Sequence, residues 1–219
     1  MTVLLVLTAR LDSSRLWGKS LLPYAGIPAI KLILQRTQHS DWGQLLAISE
    51  DSSSDPIADH ARLWDADFIR GSHEDVLSRV LKAADAVEAD TVVRATSDNP
   101  MLDARAVQSG IRAFHDTAKP AVCNLGLSGT DDPMGYFVDI ASVSALRELH
   151  ARDPEARLLE HVTLGLKEQR QCEPFRVLAG DQSEVSWTVD ESEDYLRVSR
   201  MFVDIGPEGS AEDALNWTK

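Results

Sequence analysis

Groups that can bind phosphate are concentrated near the start of the sequence. Residues 9–19 read ARLDSSRLWGK, which places Arg10, Arg15 and Lys19 in one short segment with two adjacent serines. Guanidinium and ammonium groups form charge-assisted hydrogen bonds to phosphate oxygens, and the backbone amides of a loop add further donors. The segment therefore predicts a binding site for a triphosphate.

Two common phosphate-binding motifs do not account for this segment. Gly18-Lys19-Ser20 resembles the end of a P-loop, but that motif needs a glycine at the position of Ser13. The sequence also lacks the GxGxxG pattern, so a dinucleotide cofactor is disfavoured.

The distribution of charge favours a small ligand over a polymer. The net charge is −13, which disfavours nucleic-acid binding because that binding needs many cationic phosphate contacts. Residues 1–36 nevertheless hold five basic side chains against the single acid Asp12. That local excess favours a small anionic ligand, with ordinary surface charge as the alternative.

Short apolar runs that alternate with helix-period segments predict an α/β fold with a mainly parallel central sheet and helices on both faces. We predict strands at residues 3–8, 45–49, 67–70, 91–95, 121–125, 136–140, 175–179 and 186–189. Ser72 and Asp75 resemble a capping box at the start of the third helix. The predicted helices are residues 28–39, 57–64, 75–87, 104–115, 142–151, 155–169 and 191–203.

Polar residues follow several of these strands. The basic loop follows the first predicted strand, Ser49 ends the second, and Ser97-Asp98-Asn99 follows the fourth. Ligands of parallel α/β sheets bind outside the carboxyl ends of the strands. We therefore expect cations, hydroxyls and a carboxylate to meet at one edge of the sheet.

The loop closely resembles the AR-x-x-S-x-RLPGK-x-LL signature of the cytidylyltransferases that make CMP-activated acid sugars, the CMP-Kdo and acylneuraminate synthetases. Four more segments are similar to the spore-coat polysaccharide branch of that family, and they follow the family order along nearly the whole chain. These are RGSHEDVL at 70–77, VRATSDNPMLD at 93–103, EHVT at 160–163 and WTVDESED at 187–194.

The resemblance implies a Rossmann-like nucleotide-diphospho-sugar transferase fold, CTP as substrate and Mg²⁺ as cofactor. Asp98 and Asp190 would bind the metal, and Arg10 and Lys19 would complete the catalytic set. Magnesium does take one or two carboxylates together with phosphate oxygens. The implied nucleotide-binding residues are Ala9, Arg10, Ser13, Ser14, Arg15, Gly18, Lys19, Ser49, Arg70 and Ser72, and the implied acceptor-binding residues are Asp139, Glu160 and His161.

Some of these residues also have purely structural interpretations. Asp98 stands in an Asp-Asn-Pro turn, where aspartate often forms local hydrogen bonds. Asp190, with Glu193 three residues later, would be a good helix N-cap. Glu160 and His161 lie within a predicted helix and can equally pack or face solvent.

The chain departs from the family most where the acceptor would bind. Phe137 replaces a common aspartate and Leu159 a common arginine, whereas Trp17 and Ser97 are local replacements of a proline and a glycine. The expected reaction transfers CMP to a small anionic acceptor, such as a nonulosonic or Kdo-like acid sugar used for surface polysaccharide, and releases pyrophosphate. A phosphate or phosphonate acceptor is one alternative.

Two further alternatives belong to other classes of function. The first is a catalytically silent relative that binds nucleotide, which the retention of Lys19, Asp98 and Asp190 disfavours. The second is an enzyme of related fold that transfers a different nucleotide. Such enzymes usually begin with a glycine-rich loop, and residues 9–16 contain no glycine.

We expect one domain over residues 1–219, with a nucleotide-binding half at 1–116, an acceptor-binding and dimerisation half at 117–205 and an acidic, partly disordered tail at 206–219. The irregular segment 126–179 resembles the dimerising insertion of the family, which predicts a homodimer. The lack of a long apolar run or a leader-like segment predicts a cytoplasmic protein with no membrane partner. Cys123 and Cys172 indicate neither a disulfide framework nor a zinc site.

Overall fold

The computed structural model describes residues 1–127 and 132–218, and strands from both halves of the chain form its central sheet. The strands are β1 (Val3–Ala9), β2 (Pro23–Tyr24), β3 (Ile27–Pro28), β4 (Gly43–Ser49), β5 (Phe68–Gly71), β6 (Thr91–Thr96), β7 (Ala121–Cys123), β8 (Asp139–Ser142) and β9 (Cys172–Pro174). The seven-stranded sheet has the order β5-β4-β1-β6-β8-β7-β9, and β2 and β3 form a separate small hairpin.

Helices cover both faces of this sheet. They are α1 (Ala29–Arg36), α2 (Asp55–Leu63), α3 (Val76–Ala86), α4 (Ala104–Asp116), α5 (Val143–His150), α6 (Ala156–Glu160), α7 (Leu164–Glu168), α8 (Ser192–Ile205) and α9 (Ala211–Thr218). Short 3₁₀ turns at Lys19–Leu21 and Ser52–Ser54 complete the described regular structure. None of the helices among the described residues has the length and apolar character needed to cross a bilayer.

The sequence of β1 explains why it lies in the middle of the sheet. All seven of its residues are buried, because successive side chains point to opposite faces and both faces are covered. Leu5 and Leu7 belong to the apolar cluster that includes residues of α1, α4 and α8. Leu4 and Val6 belong to the cluster on the other face, with residues of α3 and α5.

The order of the strands determines where a ligand cleft lies. β1 pairs in parallel with β4 on one side and with β6 on the other, so the order of strands reverses at β1. In open α/β sheets the carboxyl ends of the strands at such a reversal form a crevice. The segments after β1 and β6, which begin at Arg10 and Ser97, lie at that crevice. The predicted mainly parallel α/β sheet is thus confirmed, with β8 antiparallel to both of its neighbours.

The predicted helix at 155–169 is wrong as a single element. It is divided into α6 and α7 by Val162, which has a φ of 51° and a fully buried side chain. The next residue, Thr163, donates from Oγ1 to the carboxylate of Asp139 at 2.5 Å. These two tertiary contacts fix a backbone turn that helical periodicity does not reveal.

The predicted strands at 175–179 and 186–189 are also absent from the described structure. The edge strand is β9 instead, and the amides of Val177 and Leu178 donate to the carboxylate of Asp132, each at 2.8 Å. Residues 186–189 form only an isolated bridge between Ser186 and Met134. The strand predicted at 136–140 begins later, at Asp139.

The start of α3 also differs from expectation. Asp75, not Ser72, is the N-cap of α3, since its side chain accepts from the backbone amide of Ser78 at 2.7 Å. Ser72 accepts only from the amide of Asp75, at 3.0 Å.

Part of the segment 126–179, which predicted dimerisation, cannot be compared with the structure. Residues 128–131 of that segment lie outside the described residues. The homodimer stays a prediction.

The tail is ordered, contrary to the expectation of partial disorder. Residues 211–218 form α9, and Ala211, Ala214 and Leu215 are buried in the main apolar cluster. The buried guanidinium of Arg36 donates to the carbonyls of Pro207 (2.7 Å), Gly209 (3.0 Å) and Met101 (3.1 Å). Apolar contacts and buried hydrogen bonds together hold the tail, and neither is visible in its acidic composition.

Replacing Arg36 with Met should therefore destabilise the protein by about 2–4 kcal/mol, because buried carbonyls lose their donors. Arg112→Met is the matched control, since that exposed side chain pairs, among the described residues, only with Ser109 and its loss should cost less than about 0.5 kcal/mol. Urea denaturation of both variants measures the difference. Equal stability of the two variants would show that Arg36 does not hold the tail.

Candidate active site

The loop after β1 folds back on itself before the first 3₁₀ turn. Gly18 adopts a φ of 75° and donates its amide to the carbonyl of Leu11 at 2.8 Å, a left-handed conformation that favours glycine. Ser20 is buried, donating to the carbonyl of Arg10 at 2.9 Å and sharing a 2.7 Å hydrogen bond with Ser97. These contacts attach the loop to the end of β6.

The segment that carries Asp190 is fixed against the same strand end. The amide of Val189 donates to the carbonyl of Asp98 at 2.9 Å. Thr188 donates from its hydroxyl to the side-chain oxygen of Asn99 at 3.1 Å. Gly135 allows this approach, because a Cβ at that position would lie 2.4 Å from the backbone nitrogen of Thr188.

Lys19 joins these two segments. Its ammonium lies 3.1 Å from Asp98 Oδ2 and 2.8 Å from Asp190 Oδ1, and it also donates to the carbonyl of Val189 at 3.2 Å. Arg15 Nη2 lies 2.9 Å from the same Asp190 oxygen. Asp98 Oδ1 accepts from Thr96 Oγ1 at 2.6 Å, so both of its oxygens are engaged. Two carboxylates and two cations therefore form one charge cluster.

The structural interpretation of Asp190 as a helix cap is wrong. The N-cap of α8 is Glu191, which forms a reciprocal capping box with Asp194. Asp190 contributes only its backbone amide, which donates to Asp194 at 3.1 Å. Its carboxylate is left to interact with Lys19 and Arg15.

A single cleft collects most of the residues that the sequence singled out. Arg10 lies at the cleft wall, where Nη2 is 3.4 Å from Glu160 Oε1 and Nε is 3.9 Å from Asp12 Oδ1. The predicted residues lining the cleft are Ala9, Arg10, Ser13, Ser14, Arg15, Lys19, Asp98, Glu160, His161 and Asp190.

The other predicted residues do not line this cleft, as far as the described residues show. Gly18 shapes the loop, and Ser49 is buried with its hydroxyl 3.1 Å from His73 Nδ1. Arg70 donates to Asp55 at 2.6 Å. Asp139 is buried beneath the cleft, where Lys167 Nζ lies 2.9 Å from its Oδ1.

His73 links Ser49 to the loop after β1. Its Nε2 lies 3.2 Å from Asp12 Oδ2, and its Nδ1 lies 2.8 Å from Asp51 Oδ2. The ring therefore stands between the loop after β1 and the segment after β4. Ser49 contacts the same ring and thus supports the loop indirectly, through His73.

Sequence reasoning missed two arginines that line the cleft. Arg79 is 2% exposed, and its Nε and Nη1 have no hydrogen-bond partner among the described residues. Burial, together with the nearby charge of Arg10, lowers the pKa of Arg79 to about 10. Arg94 lies on β6, within an apolar run where a charged residue is the only signal available from the sequence.

Comparison with known proteins identifies the family of this chain. A family model described as cytidylyltransferase matches residues 4–197. The chain belongs to the cytidylyltransferase family. It is therefore a CTP-dependent nucleotidyltransferase, as the sequence motifs had implied.

One relative matches almost end to end. The spore coat polysaccharide biosynthesis protein SpsF of Bacillus subtilis (strain 168) is 25% identical over 229 residues, covering 97% of this cytidylyltransferase and 92% of the relative. The similarity to the spore-coat branch that the motifs indicated is thus confirmed.

Solved structures share the fold. A cytidylyltransferase from Leptospira borgpetersenii superposes with a TM-score of 0.91 at 23% identity, covering 99% of this chain and 93% of that one. A CMP:2-keto-3-deoxy-manno-octonic acid synthetase complexed with CTP has a TM-score of 0.70 at 19% identity, with coverages of 93% and 99%. A protein from Mycobacterium tuberculosis in complex with manganese has a TM-score of 0.63 at 18% identity, with coverages of 91% and 99%.

The position of Lys19 in this cytidylyltransferase leads to a test without substrate. Its ammonium brings two carboxylates within about 6 Å of each other, a distance at which like charges repel. Lys19→Met should therefore lower stability by about 1–3 kcal/mol in metal-free buffer, and MgCl₂ should raise the melting temperature more in the variant than in the wild type.

Lys82→Met is the control, because that lysine is exposed and contacts only the carbonyl of Arg70. Thermal unfolding with EDTA and with MgCl₂ gives the comparison. An identical magnesium response in the wild type and both variants would show that the carboxylate pair does not attract a divalent cation.

Proposed function

We propose that this cytidylyltransferase transfers CMP from CTP to a small acceptor that carries an anionic group, such as a Kdo-like or nonulosonic acid, for surface polysaccharide synthesis. The observation that carries the proposal is the cluster of Lys19, Arg15, Asp98 and Asp190 at the carboxyl ends of the central strands. The SpsF relative and the CMP:2-keto-3-deoxy-manno-octonic acid synthetase support this class of acceptor.

In the proposed reaction an acceptor oxygen attacks the α-phosphorus of CTP. A new P–O bond forms to the acceptor while the bond between the α-phosphorus and its bridging oxygen breaks, and pyrophosphate takes the electron pair. Negative charge grows on the leaving group, so cations near the phosphates lower the barrier. Lys19 and Arg15, which line the same wall of the cleft, are the residues proposed for that role.

The carboxylates of Asp98 and Asp190 fit a magnesium ion by their chemistry. Among the described residues no group of three or more His, Cys, Asp or Glu side chains forms a complete metal cage. Magnesium needs no such cage, because one or two carboxylates with substrate phosphates complete its octahedral shell. When bound, the ion would neutralise phosphate charge and orient the triphosphate.

The acceptor is proposed to enter from the side of α6. Glu160 and His161 line that side of the cleft, and Glu160 is paired with Arg10 across it. A sugar hydroxyl must lose a proton during attack, and these two titratable side chains line the cleft from the acceptor half. A phosphate or phosphonate acceptor, the alternative, needs no base.

Nucleotide choice is the first test of this function. CTP should raise the melting temperature more than ATP, GTP or UTP does, because ligand binding to the folded state stabilises it by mass action. Differential scanning fluorimetry with equal concentrations of the four triphosphates and MgCl₂ measures the shifts. Equal shifts for all four would contradict recognition of the cytosine base.

The second test addresses the carboxylate pair. Asp98→Asn and Asp190→Asn should each reduce turnover by at least about a hundredfold, because each removes a charge that a hard cation requires. The double variant should lose much less than the product of the two single losses, because both residues would serve one ion. Stability should change little at position 190, since Glu191 provides the helix cap.

Pyrophosphate release across a magnesium titration measures these effects, with 3-deoxy-manno-octulosonate and N-acetylneuraminate among the acceptors. Glu193→Gln, on the first turn of α8, is the control and should retain full turnover. Near-normal turnover of both single variants would rule out the proposed metal site.

A further inference from the structure

Arg94 occupies a position where a charge is costly. It lies in the middle of β6, directly opposite Val6 of β1 and Asp139 of β8. Its side chain is 12% exposed, and the residues on either side of it in the strand, Val93 and Ala95, are buried. A cation in such surroundings destabilises the protein unless a partner compensates it.

The available partner compensates Arg94 only weakly. Arg94 Nη1 lies 3.9 Å from Asp139 Oδ2, beyond hydrogen-bond distance. That same carboxylate already accepts from Thr163 at 2.5 Å and pairs with Lys167 at 2.9 Å. The cluster therefore holds two cations, Arg94 and Lys167, against one anion.

The side chain of Arg94 lines the cleft and is partly exposed. Its buried Nε has no hydrogen-bond partner among the described residues. The ring of Phe137 lies 5.5 Å from the centre of the guanidinium, a cation–π contact that shields the charge without using an N–H donor. A guanidinium with free N–H groups suits bidentate binding of a carboxylate or phosphate group.

The contact partners of Arg94 differ from those of Lys19 and Arg15, the two cations assigned to the nucleotide. Lys19 and Arg15 contact Asp190 at the wall formed by residues 189–190, whereas Arg94 contacts Phe137 and Asp139. Both of the latter residues belong to the half of the chain expected to bind the acceptor. Arg94 nevertheless lines the same cleft as the Lys19 cluster.

We propose that Arg94 binds the anionic group of the acceptor, a carboxylate or phosphate-type oxyanion, and thereby selects anionic over neutral acceptors. The proposal rests on the proposed transfer of CMP to such an acceptor. The ligand anion supplies the charge that Asp139 does not, and Phe137 keeps water from one face of the ion pair. Arg94 is thus a specificity-determining residue that the acceptor contacts directly.

Kinetics of Arg94→Met and Arg94→Lys test this assignment. With 3-deoxy-manno-octulosonate, N-acetylneuraminate and glycerol 3-phosphate as acceptors, Arg94→Met should raise the acceptor KM at least about tenfold while the CTP KM changes less than about twofold. Arg94→Lys should recover part of the loss, and the exposed control Arg112→Met should behave as wild type. A rise in the CTP KM equal to the rise in the acceptor KM, or no change in either, would overturn the proposal.

A binding measurement keeps the test independent of turnover. If none of the three acceptors reacts, the proposed acceptor class fails. The role of Arg94 in anion binding can still be tested by calorimetry. Inorganic phosphate and 3-deoxy-manno-octulosonate are titrated into protein saturated with CTP. Binding of at least one anion that is lost in Arg94→Met and kept in Arg112→Met supports the assignment. Equal binding by both variants, or no binding by the wild type, overturns the assignment. If Arg94→Met does not fold, Arg94→Lys replaces it in this measurement.

Discussion

The ammonium of Lys19 lies between the carboxylates of Asp98 and Asp190, and the rest of the cleft is arranged around that contact. The three side chains come from the loop after β1, the end of β6 and the segment before α8. Each segment is held by its own hydrogen bonds, such as Ser20 to Ser97 and Val189 to Asp98. The backbone therefore places the charges, and these charges are the groups proposed to act on a nucleotide.

Two kinds of charge line the cleft. The charges of Lys19 and Arg15 are matched by carboxylates. Among the described residues Arg94 has no hydrogen-bonded anion, and the ring of Phe137 shields it. A cleft that combines balanced charge pairs with a weakly compensated arginine fits the proposed pair of anionic substrates.

Most of the first half of the fold could be predicted from the sequence, because β1, β4 and β6 are short apolar runs whose burial on both faces demands a parallel sheet. The second half could not. Its backbone follows contacts distant in sequence, such as the amides of 177 and 178 bound to Asp132 and the turn at Val162 above Asp139. Local periodicity carries no information about such partners.

The sequence by itself determined the family and the main chemical groups of the cleft, because the loop motif and the aspartates after β6 and before α8 are local patterns in a fixed order. Only the tertiary structure decided which groups meet. It showed that Glu191 caps α8 and leaves Asp190 for Lys19, and that Arg36 binds the C-terminal tail to the core. It also showed that, among the described residues, Arg94 is only weakly compensated by Asp139, because its surroundings are assembled from strands distant in sequence.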